Sequence, residues 1–412
     1  MEAYLFDWAN LLLRWLHVIT AIAWVGSSFY FVFLDNNLIK PESPDLLEKG
    51  VGGAMWAVHG GGFYNPQKYM VAPKKIHTHL HWFYWESYST WLTGFALFSV
   101  SYLWQAQTYM VDPNLVAWTQ SEAVLVALAF LAGFWLIYDT LCRTVGARDG
   151  GDKWVGLLVF ITVVAAAWLA THAFAGRAAF LLVGAMIGTA MSANVFFWII
   201  PGQRKVVKAM GAGEPIDPIH GKRGKQRSVH NTYFTLPVLF AMLSNHYSFT
   251  YTGPYNWVVL VLMMTAGALI RQFFVMRHGF KLGRNANPLP YALAGVAVIA
   301  ALVVAMRPQP EPTDMASTAT ATATATSATT PVAVDFAEVR AVVTQRCVMC
   351  HGEAVQMKGI RLDSDARIVA QAQAIYQQAV VSRAMPMNNG TGMLPSERAL
   401  LATWFKNGPT SR

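Results

Sequence analysis

Apolar residues come in long blocks separated by short polar stretches, and the block lengths set the architecture. Runs long enough to cross about 30 Å of hydrocarbon fall near residues 9–34, 82–104, 119–141, 154–173, 177–200, 230–248, 255–277 and 290–306. The first run has no cleavage site and is too long for a signal-peptide core, which predicts an anchor that stays in place. Aromatic clusters such as Trp82, Phe83, Tyr84 and Trp85 fit the belts that form where spans meet the interface. After residue 306 the pattern stops. "RPQPEPTDMASTATATATATSATTPVA" is low in complexity and aperiodic, so 307–332 reads as a flexible linker. Periodicity returns over 333–412, with helices predicted at 335–346, 366–382 and 395–406, the last opening on Pro395 and closing at Gly408. The predicted fold is all-α: an eight-span transmembrane bundle over 1–306, a linker, and a small C-terminal domain.

Composition supports that division. The chain is 54% hydrophobic and 13% charged, about half the charge of a soluble domain. Its net charge of +9 is unevenly placed. Lys40, Lys49, Lys68, Lys74 and Lys75, then Arg143, Arg148 and Lys153, occupy alternate connections. So do Arg204, Lys205, Lys208, Lys222, Arg223, Lys225 and Arg227, and finally Lys281 and Arg284, whereas the intervening connections hold Arg177 and little else. The positive-inside rule puts the basic connections in the cytoplasm and both termini outside it. The charge therefore reports topology and implies no nucleic-acid partner. With three cysteines there is no disulfide framework, and Cys142, alone at the end of an apolar run, has no predicted role.

The other two cysteines lie in "RCVMCHGE". Cys347 and Cys350 followed by His351 form the c-type haem attachment signal: two thiols form thioethers and the adjacent imidazole sits beneath the iron. A zinc reading needs a second ligand pair, and the tail has no other Cys or His. A covalent haem also supplies apolar surface that so small a domain lacks. Attachment outside the cytoplasm agrees with the side assigned from loop charges. No His follows His351, so the sixth ligand is a Met, and Met357 is too close to the motif. "SRAMPMNNGTG" resembles the Pro-containing loop of small, class I-like cytochromes c, in which the Met before Pro binds iron. That resemblance implies Met385, with Met387 as the alternative.

Ionisable groups inside spans are expensive and therefore candidates for function. Toward the predicted cytoplasmic ends lie Glu86, Asp139, Asn194, His230, Asn231, Arg271 and Gln272; toward the outer half lie His17, His172 and His246. The catalytic candidates are Glu86, His230, Arg271, Gln272 and His17. Arg271 needs Glu86, Asp139 or an anionic ligand as partner. Gln272 points about 100° away from it on a helix, so both meet one flat anion only at a helix junction. His77, His79 and His81 in "IHTHLHW" share a face, and so could bind metal, only if extended; nearby lysines favour an interfacial approach. "HGGGFYNP" lacks the strand and helix of a phosphate loop and is expected to form a re-entrant lid. His230 and His246 lie about 160° apart around a helix, which argues against a stacked pair of b haems. His17 resembles the first-span His of small haem-binding membrane proteins, so an additional haem b or metal in the membrane domain stays a candidate cofactor.

"HVITAIAWVGSSFYFVFLDNNLIKP", "WAVHGGGFYNPQKYMVAPKK" and "HLHWFYWESYSTWLTGFALF" resemble the bacterial membrane-bound urate oxidases linked to cytochrome c (the PuuD type), and the layout matches over essentially the whole chain. The resemblance implies oxidation of urate to 5-hydroxyisourate in purine catabolism, in the bacterial inner membrane. It implies that electrons pass to the C-terminal haem c and on to a downstream cytochrome c or terminal oxidase, with the cytochrome c domain on the periplasmic side. No dinucleotide fingerprint supports a flavin on a Rossmann unit. The alternative is an electron conduit or solute transporter with a tethered cytochrome, against which the absence of internal repeats counts. The densest polar cluster is predicted on the cytoplasmic side, about 30 Å from a haem outside, whereas a site on the outer half near His17, His172 and His246 needs no relay, and the sequence leaves both open.

Overall fold

The structure, a computed structural model, describes residues 2–69, 73, 76–307, 334–381 and 383–411. The expected linker past Arg307, and the loop charges Lys74 and Lys75, lie outside the described residues. Helix α1 (Glu2–Asn37) leads through α2 (Pro44–Glu48) to four short strands, β1 (Val51–Ala54), β2 (Ala57–His59), β3 (Gly62–Tyr64) and β4 (Gln67–Tyr69). Then come α3 (Trp85–Phe98), α4 (Ala106–Tyr109), α5 (Gln120–Thr144), α6 (Asp152–Ala173), α7 (Gly176–Ala193), α8 (Ile200–Ala212), α9 (Pro218–Leu243), α10 (Asn256–Lys281) and α11 (Leu289–Ala305). The tail holds α12 (Phe336–Arg346), α13 (Asp365–Ala370), α14 (Ala372–Ile375) and α15 (Pro395–Lys406).

Each expected apolar run falls on a helix. Five helical stretches, Tyr4–Asn37, Gln120–Thr144, Asp152–Ala173, Gly176–Ala212 and Asn256–Lys281, are long and apolar enough to cross a membrane, and Leu289–Ala305 is apolar but shorter. The sixth run differs most from expectation. Helix α9 starts at Pro218, where the Asp217 side chain accepts the Ile219 N–H at 2.9 Å, a cap that begins the helix well before its apolar part. It ends at Leu243, leaving His246 in a 3₁₀ turn past the helix.

The Gly-rich segment is a β-hairpin, not a lid. Gly60 and Gly61 join β2 to β3 with φ of +58° and +79°, the left-handed pair that a two-residue hairpin turn needs and that glycine supplies without strain. Strand β1 pairs antiparallel with β4.

Helix α7 is the most buried span and packs against α5, α6 and α9. Its small residues allow this: a Cβ on Gly184 would lie 2.7 Å from the Ala241 Cβ of α9. Membrane helices associate by such close approach, because lipid removes the hydrophobic drive between them. Helix α1 lies at the edge, turning Trp8, Leu12, Trp15 and Ile22 outward. Between α7 and α8 the helix widens into a π turn at Asn194–Ile199. The tail has a core of its own, with Phe336, Val339, Val343, Ile368, Leu401 and Trp404 buried together. Burial is worth about 1.5–3 kcal/mol for each large apolar side chain. Arg346 of α12 pairs with Glu397 of α15 at 3.0 Å. The 3₁₀ turn Met387–Asn389 packs against α4.

Candidate functional site

A buried polar cluster forms where α5, the π turn and α9 meet. Arg227 of α9 is only 2% exposed, although its position among loop cations suggested a solvated side chain. Its Nη2 donates to Asp139 Oδ1 at 2.8 Å and its Nη1 to Asn194 Oδ1 at 3.3 Å. The guanidinium lies 5.0 Å from the Tyr138 ring centroid and 5.2 Å from that of Trp198. Trp198 Nε1 also donates to Asp139 Oδ1, at 2.7 Å. Asp139, expected as a partner of Arg271, is thus the partner of Arg227. A buried pair of this kind survives because further hydrogen bonds satisfy both charges.

The network continues inward. Asn194 Nδ2 donates to Tyr138 Oη and to Asn231 Oδ1, both at 2.9 Å, and Asn231 Nδ2 donates to the Met191 carbonyl at 3.0 Å. Tyr138 Oη lies 2.9 Å from His230 Nδ1. When Nδ1 carries the proton and donates to the phenol oxygen, His230 Nε2 is left as an acceptor, the form a general base needs.

His230 lines a cavity of about 580 Å³ at the ends of α5, α6 and α9, shared with Arg227, Cys142 and Tyr233. That volume falls in the range of small-molecule sites. Its walls carry Arg143, Lys153, Lys222, Arg223 and Lys225 against Asp152, and Asp152 accepts a hydrogen bond from Gln226 at 2.6 Å. The excess of cations concentrates anions. Sequence reasoning named His230 here but missed Tyr138, Trp198, Arg227 and Tyr233. The cap at Asp217–Pro218 was the available signal: it extends α9 through Arg227, one turn before Asn231 and therefore on the same face.

The other catalytic candidates separate. Arg271 of α10 is 5% exposed and stacks on Phe29 of α1 with its guanidinium 3.9 Å from the ring centroid. Gln272 turns instead to Tyr233 of α9, accepting its hydroxyl proton, as consecutive helix positions require. Glu86 Oε2, in the first turn of α3, is buried with no hydrogen-bond partner among the described residues, and no ion pair joins it to Arg271. His17 Nδ1 meets the Thr90 carbonyl at 3.1 Å and Thr93 Oγ1 at 3.2 Å. Its ring packs so closely on α3 that a Cβ on Gly94 would lie 2.7 Å from Cε1. His172 stacks on Trp168 with centroids 4.3 Å apart, and His246 is exposed. Among the described residues no hydrogen bond or ring contact joins these three. His77, His79 and His81 are exposed. No group of three or more His, Cys, Asp or Glu side chains is placed to hold a metal ion among the described residues.

In the tail, Cys347 caps the C-terminus of α12, its N–H donating to the Val343 carbonyl at 2.8 Å, and the His351 N–H donates back to the Cys347 carbonyl at 2.9 Å. Cys347 and Cys350 form no disulfide. Burial pushes the Cys347 thiol up to about 11 and raises that of Cys350. His351 Nδ1 is buried without a hydrogen-bond partner among the described residues. Two unpaired thiols beside an imidazole with an unpartnered nitrogen fit a covalent haem. Met385 is half-buried, its N–H donating to the Gln378 carbonyl at 2.9 Å and its own carbonyl accepting from Arg398 at 2.8 Å. Met387 is half-buried in the turn that meets α4, and Met393 belongs to the tail core.

No curated protein and no solved structure matches the chain. A family model described as urate oxidase N-terminal matches residues 3–307, which takes in every helix from α1 to α11, and the chain belongs to that family.

Proposed function

We propose that the protein is a membrane-bound oxidoreductase that converts urate to 5-hydroxyisourate in the basic cavity and delivers the electrons to a c-type haem on its tail. The cavity carries this reading. In a chain of the urate oxidase N-terminal family, it is sized for a purine, ringed by cations and lined by His230. Urate at neutral pH is a planar monoanion. Its reaction with water gives 5-hydroxyisourate, one proton and two electrons. His230, held through Nδ1 by Tyr138, takes a proton as water adds, and the Arg227–Asp139–Asn194 network keeps Tyr138 in place. The wall cations attract the anion and shorten its search.

In this reading residues 1–306 are the eight-helix transmembrane domain, 307–332 the linker and 333–412 the cytochrome c domain. Cys347 and Cys350 would hold the haem covalently, and His351 and Met385 would ligate its iron, with Met387 as the alternative. Such a group would supply one-electron acceptance, so each urate would require two transfers to the tail. The loop cations support a cavity at the cytoplasmic face of the bacterial inner membrane and a tail outside, where a downstream cytochrome c or terminal oxidase would receive the electrons. The packing of the Met387–Asn389 turn against α4 supports reduction of the tail while it is docked.

Anaerobic addition of urate to haem-loaded membranes tests the proposal. The expected result is reduction of the c haem, two equivalents per urate, with loss of the Met–iron band in Met385→Ala. A haem that stays oxidised under urate while dithionite reduces it overturns the function. Loss of the band only in Met387→Ala overturns the ligand assignment.

A further inference from the structure

Arg271 is a cation without an answer. It is 5% exposed, and its Nε and Nη2 are both buried with no hydrogen-bond partner among the described residues. The described ion pairs include none with Arg271. Leaving a buried charge uncompensated is strongly destabilising, and within spans such groups are kept where a ligand or pathway uses them.

The free atoms define the ligand. Nε–H and an Nη2–H form the side-on fork of a guanidinium, two parallel donors that fit a planar oxo-anion bidentately. Phe29 covers one face of the guanidinium and leaves that edge as the contact. The route is also marked. Tyr233 lines the basic cavity and donates its hydroxyl to Gln272, the neighbour of Arg271. Gln272 Nε2 rests on the Met276 thioether at 2.9 Å, a weak acceptor that gives way readily to a better one.

We propose that Arg271 forms an inner anion site behind the Tyr233–Gln272 hydrogen bond, and that it takes the planar oxo-anion collected by the outer, basic cavity. The identity of the anion as urate rests on the proposed function; the site itself rests on the unpaired fork. The oxidation stays in the cavity beside His230, and opening the Tyr233–Gln272 latch lets the anionic edge of the ligand held there reach Arg271.

The test uses the full-length, haem-loaded, oxidised protein in detergent, with urate binding read by equilibrium dialysis and nitrate, a planar oxo-anion, read by thermal shift. Arg271→Gln is expected to weaken urate binding about 10- to 100-fold, with Arg271→Lys in between, since it keeps the charge but loses the fork. Without ligand, Arg271→Gln should melt above the wild type, the reverse of what a structural arginine gives, and nitrate should raise the melting temperature of the wild type alone. If Arg271→Gln binds urate as the wild type does, or its unliganded form melts lower with affinity unchanged, the inner site is overturned. The two proposals fail separately. Urate that reduces the haem in wild type and Arg271→Gln at one half-saturating concentration leaves the function standing and removes the site. Nitrate that stabilises only the wild type, in a protein that urate neither binds nor reduces, keeps the site and removes urate.

Discussion

Among the described residues two arginines are buried in the helical bundle, and they differ in how their hydrogen bonds are met. Arg227 has a carboxylate, an amide and two aromatic faces around it. Arg271 has one aromatic face and a fork of unused donors. The first is built into the protein's own network and holds three helical segments in register. The second is left open, and its cost is offset only when something from outside arrives. A buried charge by itself therefore says little about function; the state of its hydrogen bonds separates a scaffold from a receptor.

Substitutions can break or sharpen that contrast. The largest effect is expected at the satisfied pair. Arg227→Ala or Asp139→Ala leaves its partner buried and alone, and should cost about 3–5 kcal/mol, read as a collapse of the melting temperature in detergent; a loss below 1 kcal/mol would remove the distinction between the two arginines. Tyr138→Phe is next. It keeps the ring beneath Arg227 but strips a partner from Asn194 Nδ2 and His230 Nδ1, for about 1–3 kcal/mol, with activity falling further than stability because His230 loses its orientation. The smallest effect belongs to Arg143, which approaches Asp139 at 3.6 Å from a mostly exposed position. Arg143→Ala should change stability by less than about 0.5 kcal/mol, while slowing urate capture at low salt and not at high salt.

The helices were legible because long apolar runs favour them: every run fell on a helix, five of the helical stretches are long and apolar enough to cross a membrane, and Pro395 opened α15 where expected. Polar positions were harder to place. Arg227 looked like a loop cation because hydropathy weighs composition and ignores capping, yet Asp217 and Pro218 had already started its helix. Tyr138 and Trp198 were counted as apolar bulk, although each brings one polar atom to the cluster, and such atoms are invisible to a window average. The separation of Arg271 from Gln272 was legible from helix geometry alone. Their separate neighbours, Phe29 and Tyr233, depend on how α1, α9 and α10 pack, which no local pattern encodes. The β-hairpin was missed by reading glycines as flexibility when Gly60–Gly61 was turn chemistry.

The π turn at Asn194–Ile199 has a consequence for how this chain can vary through descent. A π turn is a helix carrying one surplus residue, so its ancestry and its repair both involve a single codon. Deleting that residue would restore ordinary α geometry, leave the helix beyond it in phase, and re-aim the side chains carried inside the turn. Asn194 and Trp198 both lie in the turn, and they would lose the aim that brings them to the Arg227–Asp139 pair. Most helices tolerate a substitution far better than a deletion; here the deletion would even relieve an irregularity, and the gain in regularity would dismantle the cluster. The local imperfection is heritable information, written as length instead of as residue type.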